Sequence, residues 1–148
     1  MAVNREEIIL CLNDLIETNR DGEQGYRSAA EHTENENLKA FFRRSSYQRA
    51  QFASELQAEV RQLGGDPAQK GSVSGMFHRG WMNLKSALSA GDESILSECE
   101  WGDDSAVRNY ERVLKQNLPP GVLPVVKHQY TQIKDARNRI REMERKAA

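Results

Sequence analysis

The sequence predicts an all-α fold: a bundle of four long helices, with a long crossover carrying a short extra helix between the second and the third. Three observations predict it. Apolar residues recur at spacings of 4 and 3 over four separate stretches, the pattern of helices that each bury one face. Helix-stopping residues fall between those stretches, at Gly64–Pro67, at Gly91 and in "NLPPGVLP", residues 117–124. One long gap, residues 66–91, is flanked by two short ones, so two antiparallel pairs are joined by a crossing connection.

Composition sets the limits of this reading. A chain of 148 residues can bury one core without disulfides or a structural metal, and 38% hydrophobic with 29% charged residues is the balance of a soluble helical domain. No apolar run approaches the roughly 20 residues that span a bilayer. The start "NREE" lacks the basic region and apolar core of a secretory signal, so a cytoplasmic location without membrane contact is expected. A formal net charge of -1 provides no global field toward nucleic acid, and none is expected as a partner. Cys11 and Cys99 are too isolated for a disulfide framework or a zinc knuckle and read as reduced thiols.

The first helix has the seam Ile8, Leu12, Leu15, Asn19, Gly22, Tyr26, Ala29, Thr33. Beside it runs the row Ile9, Ile16, Glu23, Ala30, which puts a carboxylate where two isoleucines predict an apolar side chain. Thr33 with Glu36 offers a capping box, so the second helix follows almost without a loop. That helix runs from about Glu36 to Leu63 with the seam Leu38, Phe42, Ser45, Arg49, Phe52, Leu56 and Val60 or Glu59, and with Phe41, Gln48 and Glu55 alongside. In the crossover, Phe77, Trp81, Leu84 and Leu88 form a short stripe in which Trp81 and Leu84 are expected to be buried. Asp92 is placed to cap the third long helix, whose seam is Leu96, Cys99, Asp103, Ala106, Tyr110, Val113 with Glu100 beside it. The last helix shows Val122, Val126, Gln129, Ile133, Ala136, Ile140, Met143, flanked by Leu123, Tyr130 and Arg137.

Polar residues interrupt every seam near its middle. Glu23, Gln48, Arg49, Glu100, Asp103, Gln129, Gln132 and Arg137 together form a polar mid-bundle layer. An up-down pair, a crossing and a second up-down pair is the topology of ferritin-like bundles. Those hold two metals with one Glu from each of two helices and a Glu-x-x-His pair from each of the other two. Glu23, Glu100 and Asp103 stand at credible single-carboxylate positions, but helices two and four carry Ser45, Gln48, Gln51 and Gln129, Gln132, and no Glu-x-x-His. Arg49 and Arg137 bring positive charge to the same level, where a guanidinium competes with a divalent cation and pairs well with a carboxylate. The expectation is therefore an ion-pair and hydrogen-bond layer that sets helix register, with no catalytic residue and no cofactor. In that layer Glu23 is neutralised by Arg49, Arg137 or a Gln amide. The alternative is a carboxylate-poor di-iron or di-manganese site on Glu23, Glu100 and Asp103.

Other chemistry-bearing residues point to no site. His32 and His128 share rows with glycine and polar residues and are expected to face solvent, while His78 adjoins Phe77 and Trp81, where capping or packing is expected. The basic run "RNRIREMERK", residues 137–146, reads as a solvated helix end favoured by the helix dipole.

The stretches "LNDLIETNRDGEQGY", "QFASELQAEVRQLGG" and "HRGWMNLKSAL" resemble a family of bacterial proteins of unknown function classed with the ferritin-like four-helix bundles, from about Ile8 to Met143. The resemblance implies that fold, crossover helix included, and no established reaction. Three function classes follow. The first is a non-enzymatic scaffold or interaction protein with a degenerate dimetal site. It self-associates as a homo-oligomer such as a dimer, since Phe41, Phe42, Trp81 and Trp101 exceed what one narrow seam can bury. The second is a metalloprotein, and the third a binder of a small apolar ligand between the helices.

Overall fold

The first helix, α1 (Arg5–His32), starts where the Asn4 side chain accepts the Glu7 N–H at 3.0 Å, with Glu6 and Glu7 against the positive end of the helix dipole. The Thr33 N–H closes it on the Ala29 carbonyl. The next helix, α2 (Glu36–Gln62), begins at Asn35, whose side chain accepts the Leu38 N–H at 3.0 Å. Asn35 is thus the cap, not Thr33: it stands directly before the helix, while Thr33 is occupied in ending the previous one. Asp92 also departs from expectation. It is the first residue of its own helix, and its carboxylate accepts the N–H groups of Glu34 and Asn35 at 2.9 and 3.0 Å, so it satisfies the α1–α2 turn from across the bundle. At the far end of α2, Gly64 N–H bonds Arg61 O and Gly65 N–H bonds Val60 O. That paired closure needs the left-handed φ of +83° that Gly64 adopts.

The computed structural model describes residues 4–69 and 80–147. Among the described residues the chain is all-helical, completed by α3 (Leu84–Ala90), α4 (Asp92–Leu114) and α5 (Leu123–Ala147). The long helices pair as α1 with α2 and α4 with α5; α1 also packs on α4, and α2 packs only thinly on α5. Both described ends of the crossover lie against α1. On one side Asn13 exchanges hydrogen bonds with Asp66 O and the Ala68 N–H, and Arg20 Nε donates to Gln69 O. On the other, Trp81 sits over Gly25 of α1 and Gly102 of α4. Phe77 and His78 lie outside the described residues. Trp81 is buried, at 3% exposure, and precedes α3 rather than belonging to it; Leu84 and Leu88 are half-buried.

Apolar burial is divided into two clusters. One gathers Leu12, Leu15, Phe52, Leu56, Val126 and Ile133; the other gathers Tyr26, Phe41, Phe42, Trp81, Ile95 and Ile140. In the second, Tyr26 meets the Phe41 and Trp81 rings edge-on, with centroids 6.5 and 5.6 Å apart, geometries that aromatic quadrupoles favour. Phe41, Phe42 and Trp81 are therefore interior, contrary to the expectation of surplus aromatic surface; Trp101 alone of that quartet is exposed, at 59%. The difference lies in the glycines. A Cβ on Gly25 would stand 2.5 Å from the Trp81 ring and one on Gly102 2.3 Å from it, so the two bare backbones make the slot that admits the indole.

Gly102→Ala forces the indole out of this slot. A cost of about 1–3 kcal/mol is expected in urea unfolding, the range for overpacking a well-filled interior. Combining it with Trp81→Leu gives a loss smaller than the sum of the two, because the residues share one space.

Candidate functional site

The polar layer begins with a gap. At Gly22 on α1 a Cβ would approach Arg49 Nη1 to 3.3 Å and its Cγ to 3.4 Å, so the missing side chain clears a lane for the Arg49 side chain entering from α2. Arg49 Nη1 donates to Asp103 Oδ1 at 2.8 Å and Nη2 to Oδ2 at 3.3 Å, a two-pronged pairing with α4 in which both residues are buried. The Tyr26 hydroxyl of α1 donates to the same Asp103 Oδ2 at 2.5 Å, and the guanidinium lies 5.3 Å from the Tyr26 ring centroid. Burial, and then the Asp103 charge, push the Tyr26 hydroxyl well above its usual pKa, which keeps it a donor. Burial alone would lower the Arg49 guanidinium; the Asp103 carboxylate and the Tyr26 hydroxyl more than offset it and hold it above its usual range.

A chain of amide and hydroxyl bonds, ending on a carboxylate, lies beside this ion pair. Asn19 Nδ2 of α1 donates to Leu15 O at 2.8 Å and to the Tyr110 hydroxyl oxygen at 2.7 Å. The Tyr110 hydroxyl of α4 donates to Gln129 Oε1 of α5 at 2.7 Å. Gln129 Nε2 donates in turn to Phe52 O at 3.2 Å and to Glu55 Oε1 at 2.9 Å on α2. All four long helices are joined at one level.

The sequence-predicted residues divide accordingly. Arg49, Asp103 and Gln129 meet in the layer; Gln48 and Gln132 are half-buried along the α2–α5 groove instead. Glu23 is a correction: it is half-buried and bonded at 2.9 Å by Arg20 Nη1 and at 2.9 Å by Arg27 Nη2 of its own helix, not by Arg49, Arg137 or a Gln amide. Arginines three residues before and four after it reach it ahead of any side chain on a neighbouring helix. Arg137 turns outward to Asp104 at 3.3 Å, and Arg141 bridges Glu100 at 2.8 Å and Asp104 at 3.0 Å. One residue along a helix is a rotation of about 100°, enough to put Asp103 inside and Asp104 at the α4–α5 edge. At that edge, burial and then the hydrogen bond and charge of Glu100 raise the Glu144 carboxyl to about 7.

Sequence reasoning counted Tyr26 and Tyr110 as apolar seam positions and missed their hydroxyls. The signal was available, because a tyrosine in a buried seam needs a partner for its O–H, and both stand beside polar interruptions. The proposed metal ligands Glu23, Glu100 and Asp103 do not converge, each being held by different arginines. Among the described residues no three His, Cys, Asp or Glu side chains come together where they could hold a metal. His32 and His128 are exposed, as expected, and no described helix is long and apolar enough to cross a membrane.

Residues 7–116 match the family described as a domain of unknown function (DUF2383). The matched span holds Tyr26, Arg49, Trp81, Asp103 and Tyr110 and stops before α5. No protein of curated function matches the chain.

Arg49→Ala leaves Asp103 buried without its counter-charge, and a loss of about 3–5 kcal/mol is expected in denaturant unfolding. The double variant Arg49→Met, Asp103→Leu should be more stable than either truncation alone. Glu23→Ala, by contrast, removes two half-exposed pairs within one helix and should cost about 1 kcal/mol or less. For Glu144 the folded pKa lies above the unfolded one, so its contribution is full below the ordinary glutamate range and is lost as pH rises through about 7. Amide exchange in the last turns of α5 should therefore quicken beyond its intrinsic base dependence over that interval. Glu144→Gln should remove the effect.

Proposed function

Since the chain belongs to the family described as a domain of unknown function (DUF2383), and no activity comes with that description, we propose a function from the polar layer itself. The protein is a non-enzymatic bundle of ferritin-like arrangement. A buried ion pair stands at the height where such bundles bind metal, and the protein acts as a scaffold through contact with other macromolecules. The observation that carries this reading is the Arg49–Asp103 pair at 2.8 Å. A fixed guanidinium among the four helices opposes a divalent cation there and already occupies the carboxylate that would bind one.

The reactive groups nearby support the same reading. Burial pushes the Cys99 thiol well above its usual pKa, with Asp103 adding to the shift, so it is not a thiolate nucleophile. Tyr26 and Tyr110 are raised in the same way, by burial first, and their hydroxyls are already donating. Two antiparallel helix pairs, joined by a crossover whose described ends lie on α1, support the ferritin-like arrangement. The free thiols Cys11 and Cys99 and the resemblance noted above support a bacterial cytoplasm as its setting.

Elemental analysis of gently purified protein tests the proposal. Iron, manganese and zinc are expected well below one per chain, with a melting temperature that a chelator leaves unchanged. About two metals per chain, or a melt that falls on chelation, would overturn it.

A further inference from the structure

The side of the bundle where α2 packs only thinly on α5 opens into a groove of about 630 Å³. Phe41 and Ala136 lie at its base, and Arg44, Asp135, Arg139 and Glu142 line it. On the neighbouring α4–α5 edge, Arg137 and Arg141 are both neutralised within the chain. The groove differs. Asp135 and Arg139 are opposite in sign and one helical turn apart, yet neither takes an ion-pair partner among the described residues. Both are exposed.

We propose that this groove is an isologous contact between two copies of the chain, with α5 antiparallel to α5 of the second copy and Asp135 of each facing Arg139 of the other. The occupant follows from the charges. Opposite charges four residues apart on one helix face are self-complementary under a two-fold axis: antiparallel pairing makes both ion pairs, while parallel in-register pairing sets like on like. The same register brings Gln132 opposite Glu142, an amide against a carboxylate that Lys146 of its own helix also pairs at 3.6 Å, and sets Ala136 opposite Asn138. Arg44, on the α2 wall, adds a second cation facing the incoming Asp135. Net charge in the groove is balanced, with two cations and two carboxylates among these side chains, which favours a copy of the same surface over a strongly acidic or basic partner.

This inference rests on the reading of the chain as an interaction module and names its partner. Sedimentation equilibrium of the whole chain over a range of protein and salt concentrations tests it. The expected result is a dimer at low salt that dissociates as salt rises, because the rim charges are solvent-exposed and screened. Asp135→Arg and Arg139→Asp should each weaken association by about tenfold or more, since the two-fold axis doubles every clash. The combined swap Asp135→Arg, Arg139→Asp should restore the dimer. Circular dichroism melts close to the wild type show that the variants fold; should one not, the salt series on the unaltered chain decides alone. A monomer at every concentration and salt overturns the proposal, as does a dimer indifferent to salt and to both reversals. Metal in the isolated protein would overturn the proposed function and leave these masses untouched, so the two failures are distinguishable.

Discussion

Most of the architecture follows from the need to accommodate one guanidinium. Taking Arg49 and Asp103 out of water costs several kcal/mol per ion before any pairing is counted, and only close, saturated geometry offsets it. The structure supplies two bonds from Arg49, a third to the carboxylate from the Tyr26 hydroxyl, and an aromatic face beside the cation, and it leaves the buried Arg49 Nε without a hydrogen-bond partner among the described residues. The pair also constrains register. Apolar seams can slide by a turn and still find apolar contacts, but sliding α2 against α4 would strand two charges in the interior. The Asn19–Tyr110–Gln129–Glu55 chain extends the constraint to α1 and α5.

The helix glycines are the counterpart of this layer. A glycine inside a helix costs about 1 kcal/mol relative to alanine, so three in the middle of long helices need a reason. Gly22 leaves room for Arg49, and Gly25 and Gly102 leave room for Trp81. The first admits the charge; the other two close the interior beside it, since Trp81 stacks edge-on against the same Tyr26 that donates to Asp103. Crossover, aromatic cluster and ion pair are therefore one packed unit rather than separate features.

The helix edges differ in how far their charges are used up. Between α4 and α5, Glu100, Asp104, Arg137 and Arg141 answer one another. On α1, Glu23 is held by two arginines of its own helix. Between α2 and α5 the contact is thin; there Glu142 is met by Lys146 of its own helix, whereas Asp135 and Arg139 take no ion-pair partner among the described residues.

By itself the sequence determined the helices, because the spacing of apolar residues and the glycines and prolines that end each run are local signals. It also located the level of the polar layer and three members of it, Arg49, Asp103 and Gln129, since a charge or amide in an apolar seam is visible without knowing its partner. Which groups pair was decided by the tertiary structure alone. Asp103 and Asp104 are equivalent carboxylates in the sequence, and a rotation of about 100° between them sends one to Arg49 and the other to Arg137 and Arg141. Asn35 and Asp92 around the α1–α2 turn, Glu23 between its own arginines and Trp81 between two glycines follow the same rule. Periodicity reports which face of a helix is buried, whereas partner choice depends on the rotation and height of each helix against its neighbours, and those exist only once the chain has packed.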